Sequence, residues 1–211
     1  MMTRYLAISV LPLLAASSVA QILPSPIVYP KVAPRAHWVA TPGVTGLMSQ
    51  RRENHGAASA THMYVFGGRV GRASSGVLNA LYEFDGAAWT LKTAEGAVGS
   101  PPARGGAAVA WDWGRNKLMV FGGDNGAGTF FNDTWEWDPG TNAWTDVTPT
   151  VGMLPSPRRF VAIAYDPVTM GMVMFGGLDA SGELNDTWLF VGGLWVQITT
   201  ATTPPARRQH S

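Results

Sequence analysis

The chain contains no cysteine, and that one absence closes several chemistries together. A disulfide framework, a thiolate metal site, a cysteine nucleophile and a lipid-modified Cys behind a leader are all excluded. Charge is scarce too: Asp, Glu, Lys and Arg make up 14 % of residues, and 15 basic against 14 acidic side chains leave a formal +1. Without a basic excess, neither nucleic acid nor an anionic membrane is an expected partner. Beyond the first twenty residues no apolar run is long enough to span a bilayer. No Gly-rich phosphate loop precedes a helix and no Gly-x-Ser-x-Gly elbow occurs, so nucleotide and serine-hydrolase readings lack their motifs. What the chain does have is 25 Gly, 15 Pro and 9 Trp in 211 residues. That profile of many turns and few amphipathic helices reads as all-β.

Residues 1–20 read as a secretory signal. Arg4 supplies the positive start, Tyr5 to Ala16 an apolar stretch broken by Pro12, and Ser18-Val19-Ala20 the small residues before a cut at Ala20-Gln21. The expected location is therefore exported, secreted or periplasmic, with an uncleaved anchor as the alternative. Residues 21–37 carry Pro24, Pro26, Pro30 and Pro34 and read as an extended linker.

Residues 38–211 repeat. Phe-Gly-Gly recurs at 66–68, 121–123 and 175–177, a period that marks a repeat architecture. An Arg precedes each (Arg52, Arg104, Arg158). An aromatic pair follows (Tyr82 and Phe84, Trp135 and Trp137, Trp188 and Phe190), then a lone Trp (Trp89, Trp144, Trp195). Each unit reads as four short strands, and the first of them, at Gly56 to Ala60, Ala107 to Trp111 and Val161 to Tyr165, looks buried on both faces. The second ends in Phe-Gly-Gly, the third holds the aromatic pair and the fourth starts at the lone Trp. In Trp135-Glu136-Trp137 alternation puts both rings on one face and Glu136 on the other. The units span about residues 52–91, 104–147 and 158–198.

This set of positions resembles the kelch repeat, with Asn-Asp-Thr-Trp at 132–135 and 185–188 among the matching residues. The resemblance implies an all-β, kelch-type β-propeller of three complete four-stranded blades, with blades like those of the central domain of galactose oxidase. Gly67, Gly68, Gly122, Gly123, Gly176, Gly177, Trp89, Trp144 and Trp195 are then structural residues. The glycines would take positive φ and let the next blade approach.

His37 to Pro42 aligns with the lone-Trp strand through Trp38, and Pro204-Pro205-Ala206-Arg207 repeats the approach to a first strand. Three blades, one orphan strand and one beginning do not close a ring of four to eight blades. The expectation is an N-terminal fragment of a longer propeller. The alternative is a short chain that completes its ring with copies of itself, through blade edges otherwise open to self-association.

In such a meander the 2-3 and 4-1 connections share one face: Arg69 to Leu78, Asp124 to Phe131 and Leu178 to Leu184, with Lys92 to Ala103 and Asp146 to Pro157. Binding residues concentrate on loops of this kind. Arg52, Arg104 and Arg158 at the central mouth, and Asp124 and Asp179 in the loops, are the candidate binding-face residues. The structural alternative for the arginines is that each pairs with a backbone carbonyl or acid of an adjacent blade. His55 and His210 share a repeat position, without the further ligands a metal site needs. Asp124-Asn125-Gly126 and Asp179-Ala180-Ser181-Gly182 lack the spaced acids of a calcium loop. No metal or other cofactor is expected. Asn132 and Asn185 match glycosylation acceptors, although capping of strand three explains their repetition more simply. The expected function is a non-catalytic exported scaffold binding a protein or glycan through its loop face. Alternatives are an enzyme on the same scaffold, resembling sugar-acid isomerases, or a structural part of a larger surface protein. The copper chemistry of galactose oxidase needs a Cys-linked Tyr and is excluded here.

Overall fold

Short runs rich in aromatic and branched side chains, punctuated by Asp, Asn and Gly, fold as strands joined by tight turns. The structure is a computed structural model describing residues 55–70 and 76–208, all within the unit Thr41–Ser211. The signal, the linker, the strand expected at Trp38, Arg52 and His210 lie outside the described residues. Among the described residues there are twelve strands and no helix. The first sheet is β1 (Gly56–Ser59), β2 (Met63–Phe66), β3 (Leu81–Phe84) and β4 (Trp89–Thr93). The second is β5 (Ala108–Asp112), β6 (Lys117–Phe121), β7 (Thr134–Asp138) and β8 (Ala143–Asp146). The third is β9 (Ala162–Asp166), β10 (Gly171–Asp179), β11 (Gly182–Val191) and β12 (Leu194–Ile198).

Each sheet is an antiparallel meander in sequence order. The turns have a common cause. Asp85, Asp112, Asp138 and Asp166 each accept backbone N–H bonds from residues two or three further on, closing the reversal locally. Asn116 and Asn142 take the left-handed conformation that Asn tolerates, with φ of 55° and 54°. The first strands lie side by side, β1 against β5 and β5 against β9, so the sheets succeed one another about a shared inner edge. This is the arrangement of successive propeller blades.

Aromatic and aliphatic side chains fill the two wedges between blades. Between the first and second, Tyr64, Phe66 and Leu81 meet Val109, Trp111, Leu118, Val120 and Trp137. Between the second and third, Ala110, Met119 and Phe121 meet Met172, Met174, Trp188, Phe190 and Trp195. The lone Trp is the cross-blade tie. Trp144 packs on Phe66 at 5.2 Å and donates to Thr93 Oγ1 at 2.9 Å; Trp195 packs on Phe121 at 4.9 Å and donates to Thr134 Oγ1 at 3.0 Å.

The Gly pairs sit where blades touch backbone to backbone. Gly122 and Gly123 have φ of 62° and 99°, and a Cβ on Gly122 would lie 2.5 Å from the Arg158 carbonyl oxygen. Gly123 N–H donates to that same oxygen at 2.8 Å, and Arg158 N–H returns to Phe131 O at 2.9 Å. Gly68 with Arg104, and Gly177 with Arg207, repeat the arrangement.

Two expectations need correction. Leu178 to Leu184 is a tight hairpin, because β10 and β11 run on through it with Leu178 opposite Glu183 and Asp179 opposite Gly182, past a bulge between Phe175 and Gly177. Burial of the first strand on both faces holds for β5, which has a blade on each side; β1 exposes Ala57 and β9 is only half-buried, because no described blade covers their outer sides.

Candidate functional site

The repeated arginines are framework. Arg104 is 0 % and Arg158 2 % exposed, which removes both from the candidate binding face. Arg104 holds Asp133 through two bonds of 2.6 and 2.8 Å, and also donates to the carbonyls of Gly122 and Pro102. Arg158 holds Asp186 at 2.6 and 2.8 Å and donates to the carbonyls of Gly176 and Ser156. The acid in each case belongs to the arginine's own blade, not to a neighbouring one. A bidentate pair of this kind ties the approach to the first strand to the start of the third. Trp135 and Trp188 donate to the same carboxylates at 2.8 and 2.7 Å, which explains the Asp-Thr-Trp spacing. The Asp186 carboxyl is held below the usual carboxylate range: burial pushes it up, but the Arg158 and Trp188 hydrogen bonds and the Arg158 charge outweigh that.

The repeated Asn has a matching role. Asn79, Asn132 and Asn185 each donate from Nδ2 into the following 4-1 connection, to Pro101 O at 2.9 Å, Pro155 O at 3.3 Å and Thr203 Oγ1 at 3.4 Å. The carboxamide clips the two loops of its blade together.

Departures from the repeat gather at the mouth of the 2-3 and 4-1 face. Asp124 is 2 % exposed and therefore does not present its carboxylate to solvent. It pairs with Arg69 of the first blade and, at 2.9 Å, with Arg159 of the third, so one carboxylate joins three blades. Arg159 lies over the rings of Phe130 at 5.2 Å and Phe160 at 4.8 Å, a stacking that suits the planar guanidinium. Phe160 is held at φ 58°, rare for a non-Gly residue, and its ring rests on Gly106, where a Cβ would lie 2.8 Å from it. Val98, Val151 and Met153 stand exposed on the 4-1 loops of this same face.

Asp179 is half-buried and shapes its own hairpin, accepting from Ser181 N and Oγ and from Ser156 Oγ at 2.8 Å. Burial raises its pKa, but these hydrogen bonds outweigh that and set it below the ordinary value. His55 is exposed, and no group of three metal-ligating side chains occurs among the described residues.

A model of the KLHDC2/KLHL20/DRC7 Kelch-repeats domain matches residues 33–166 and again 88–211. The chain belongs to the kelch-repeat family. Host cell factor 1 from human and from rat is 27 % identical over 209 residues, covering 89 % of this chain and 10 % of that protein. The flagellar outer arm dynein alpha chain of Chlamydomonas reinhardtii is 29 % identical over 184 residues, covering 81 % of this chain and 4 % of that protein. This chain thus spans a tenth or less of the length of these relatives. Kelch repeats of this kind are protein-binding scaffolds. Sequence reading missed the Arg159–Phe130–Phe160 stack. Its signal was available: Arg159 and Phe160 follow the framework Arg158 where the second repeat has Gly105 and Gly106.

Proposed function

We propose that the chain is a non-catalytic kelch scaffold that binds a segment of another protein at the 2-3 and 4-1 face, centred on Arg159, Phe130 and Phe160. The observation that carries this reading is the division of labour just described. Residues constant across the repeat serve the fold, whereas Arg159, Phe130 and Phe160, which break it, converge at one mouth. A cation resting on two aromatic rings, beside exposed Val98, Val151 and Met153, offers the mixed surface of a protein contact. Peptide-phage selection against the protein, followed by titration of the enriched peptides, tests it. Arg159→Ala and Phe130→Ala are expected to weaken binding about tenfold or more, since stacked Arg and aromatic anchors dominate such contacts. Enriched peptides that bind both variants as tightly as the parent would refute the choice of face.

Two further parts of the reading concern the whole protein. Residues 1–20 support export, which N-terminal mass spectrometry of the secreted product tests: a mature start at Gln21 is expected, and a retained Met1 would overturn it. Membership of a larger ring is supported by Arg207, which exchanges backbone bonds with Gly177 at 2.9 Å and Leu184 at 3.0 Å as Arg104 and Arg158 do with their preceding blades. Sequencing the full transcript tests this; the expected result is further kelch repeats in frame after Ser211, and a stop codon directly after Ser211 would refute it.

A further inference from the structure

The 2-3 loop of the second blade carries a departure from the repeat that the Arg159 mouth does not use. Of the chain's asparagines only Asn125 is followed by glycine. In an Asn-Gly pair the glycine nitrogen meets least hindrance in approaching the preceding side chain, because no Cβ stands beside it. Hydrogen bonding also sets Asn125 apart. Asn79, Asn132, Asn142 and Asn185 each have their carboxamide nitrogen held, donating from Nδ2 to Pro101 O, Pro155 O, Lys92 O and Thr203 Oγ1. In Asn125 the other end is held. Its Oδ1 accepts from Ala127 N at 2.9 Å and Thr129 N at 3.0 Å, whereas its Nδ2 has no hydrogen-bond partner among the described residues.

Two N–H groups on a carbonyl oxygen polarise the carbon and stabilise the oxyanion that forms when a nucleophile adds to it. The nucleophile at hand is the Gly126 amide nitrogen, next in the chain and oriented by its 2.8 Å bond to Asp124 Oδ1. Asp124 is itself bound by Arg69 and Arg159, so two guanidiniums face one carboxylate beside this loop. The positive balance favours an anionic intermediate. Asn125 is half-buried, and Ala127, Gly128 and Thr129 are exposed, so water reaches the loop.

We propose that Asn125 is a site of spontaneous modification, its carboxamide converted to a carboxylate through a cyclic imide with Gly126. The Gly126 nitrogen adds to Asn125 Cγ, its proton passes through water to Nδ2, and the Cγ–Nδ2 bond breaks with release of ammonia. Water then opens the imide at either carbonyl, leaving aspartate or isoaspartate. In the isoaspartate product the main chain runs through Cγ, so the loop that carries Phe130 loses the side-chain carbonyl that two of its N–H groups now share. The chemistry does not depend on peptide binding at the mouth. The test incubates folded protein at neutral and mildly alkaline pH beside a guanidinium-unfolded sample, then digests both with trypsin. Fragmentation spectra of the peptide 118–158 locate the exchange of NH2 for OH, and isoaspartyl methyltransferase labelling reports the isomer. In the folded chain Asn125 is expected to convert before any other asparagine, faster as pH rises, and to give both products. Gly126→Ala should slow conversion about tenfold or more, since a Cβ hinders the attacking nitrogen. Folded protein that keeps Asn125 intact while the unfolded sample converts, conversion first at another asparagine, or a parental rate in Gly126→Ala overturns the proposal.

Discussion

Replacing Asp186 with Asn isolates the charge in the framework bracket. Arg158 is 2 % exposed and donates five hydrogen bonds: two to Asp186 at 2.6 and 2.8 Å, two to Ser156 at 2.8 and 3.0 Å, and one to Gly176 O at 3.2 Å. Asn keeps the volume and one acceptor, so packing is nearly unchanged while the counter-charge is lost. Breaking a buried ion pair from one side costs about 3–5 kcal/mol. Because Asp186 retains 19 % side-chain exposure and the Ser156 and Gly176 bonds survive, the lower end applies, about 3 kcal/mol. With a urea slope of about 2 kcal/mol per molar, the midpoint of equilibrium denaturation should fall by about 1.5 M. A fall below about 0.3 M would refute the claim that this pair is a major support of the blade. The pH dependence supplies a second check. The folded pKa of Asp186 is depressed, so the pair's contribution is complete above the unfolded value of about 3.9 and is lost as pH falls through the folded pKa. The gap between parent and variant should therefore narrow below about pH 4. Asp133→Asn tests the equivalent bracket and is expected to lower the urea midpoint by a similar amount.

Gly122→Ala should destabilise by about 2–4 kcal/mol in thermal unfolding, since its Cβ would lie 2.5 Å from Arg158 O at positive φ. Gly86→Ala, at φ 100° with nothing within 4 Å, should lose only the backbone term of about 1 kcal/mol; equal losses would show that close approach is not the cause. Trp195→Phe removes the cross-blade bond to Thr134 Oγ1 while keeping an aromatic on Phe121, and should cost about 1–2 kcal/mol by urea unfolding. Tyr64 has its pKa raised, first by burial and then by its hydrogen bond to Glu83 and the charge of that carboxylate. The sign makes its contribution whole below about pH 10 and lost as pH climbs toward the folded pKa, so Tyr64→Phe should blunt alkaline unfolding. Ultraviolet titration showing Tyr64 ionising with exposed tyrosines would contradict this.

The three blades were legible because the constraints on them recur at a fixed spacing. Phe-Gly-Gly marks a place where neighbouring backbones touch, and the lone Trp marks a cross-blade hydrogen bond. A repeat exposes such positions by repeating them. The Arg–Asp bracket was only half legible: recurrence of the arginines offered a structural role as the alternative to a binding one, but their burial and their partner are set by the geometry of the meander, which brings the start of the third strand back to the approach of the first. Asp124 was misplaced for the same reason. A carboxylate in a Gly-rich loop reads as exposed, and its partners Arg69 and Arg159 come from two other blades. The hairpin at Asp179 was read as a loop because its pairing passes a bulge that breaks the alternation.

One departure bears on how the blades are joined. On the faces that meet a following blade, Glu83 gathers His62, Tyr64 and Lys92, and Lys92 lies over Trp137 of the next blade at 5.8 Å. Glu136 gathers Arg115 and Lys117, and Arg115 lies over Phe190 of the next blade at 5.7 Å. Each of these interfaces thus ends in a cation on an aromatic ring, held in place by a carboxylate of its own sheet. On the third blade Leu189 occupies the glutamate's place, opposite Val173 on one side and Val196 on the other. That face lacks the glutamate that orients the cation in the first two blades, and Val196 and Ile198 stand exposed upon it. A sheet packed on that face would meet apolar side chains where the two preceding interfaces offer a cation held by a glutamate.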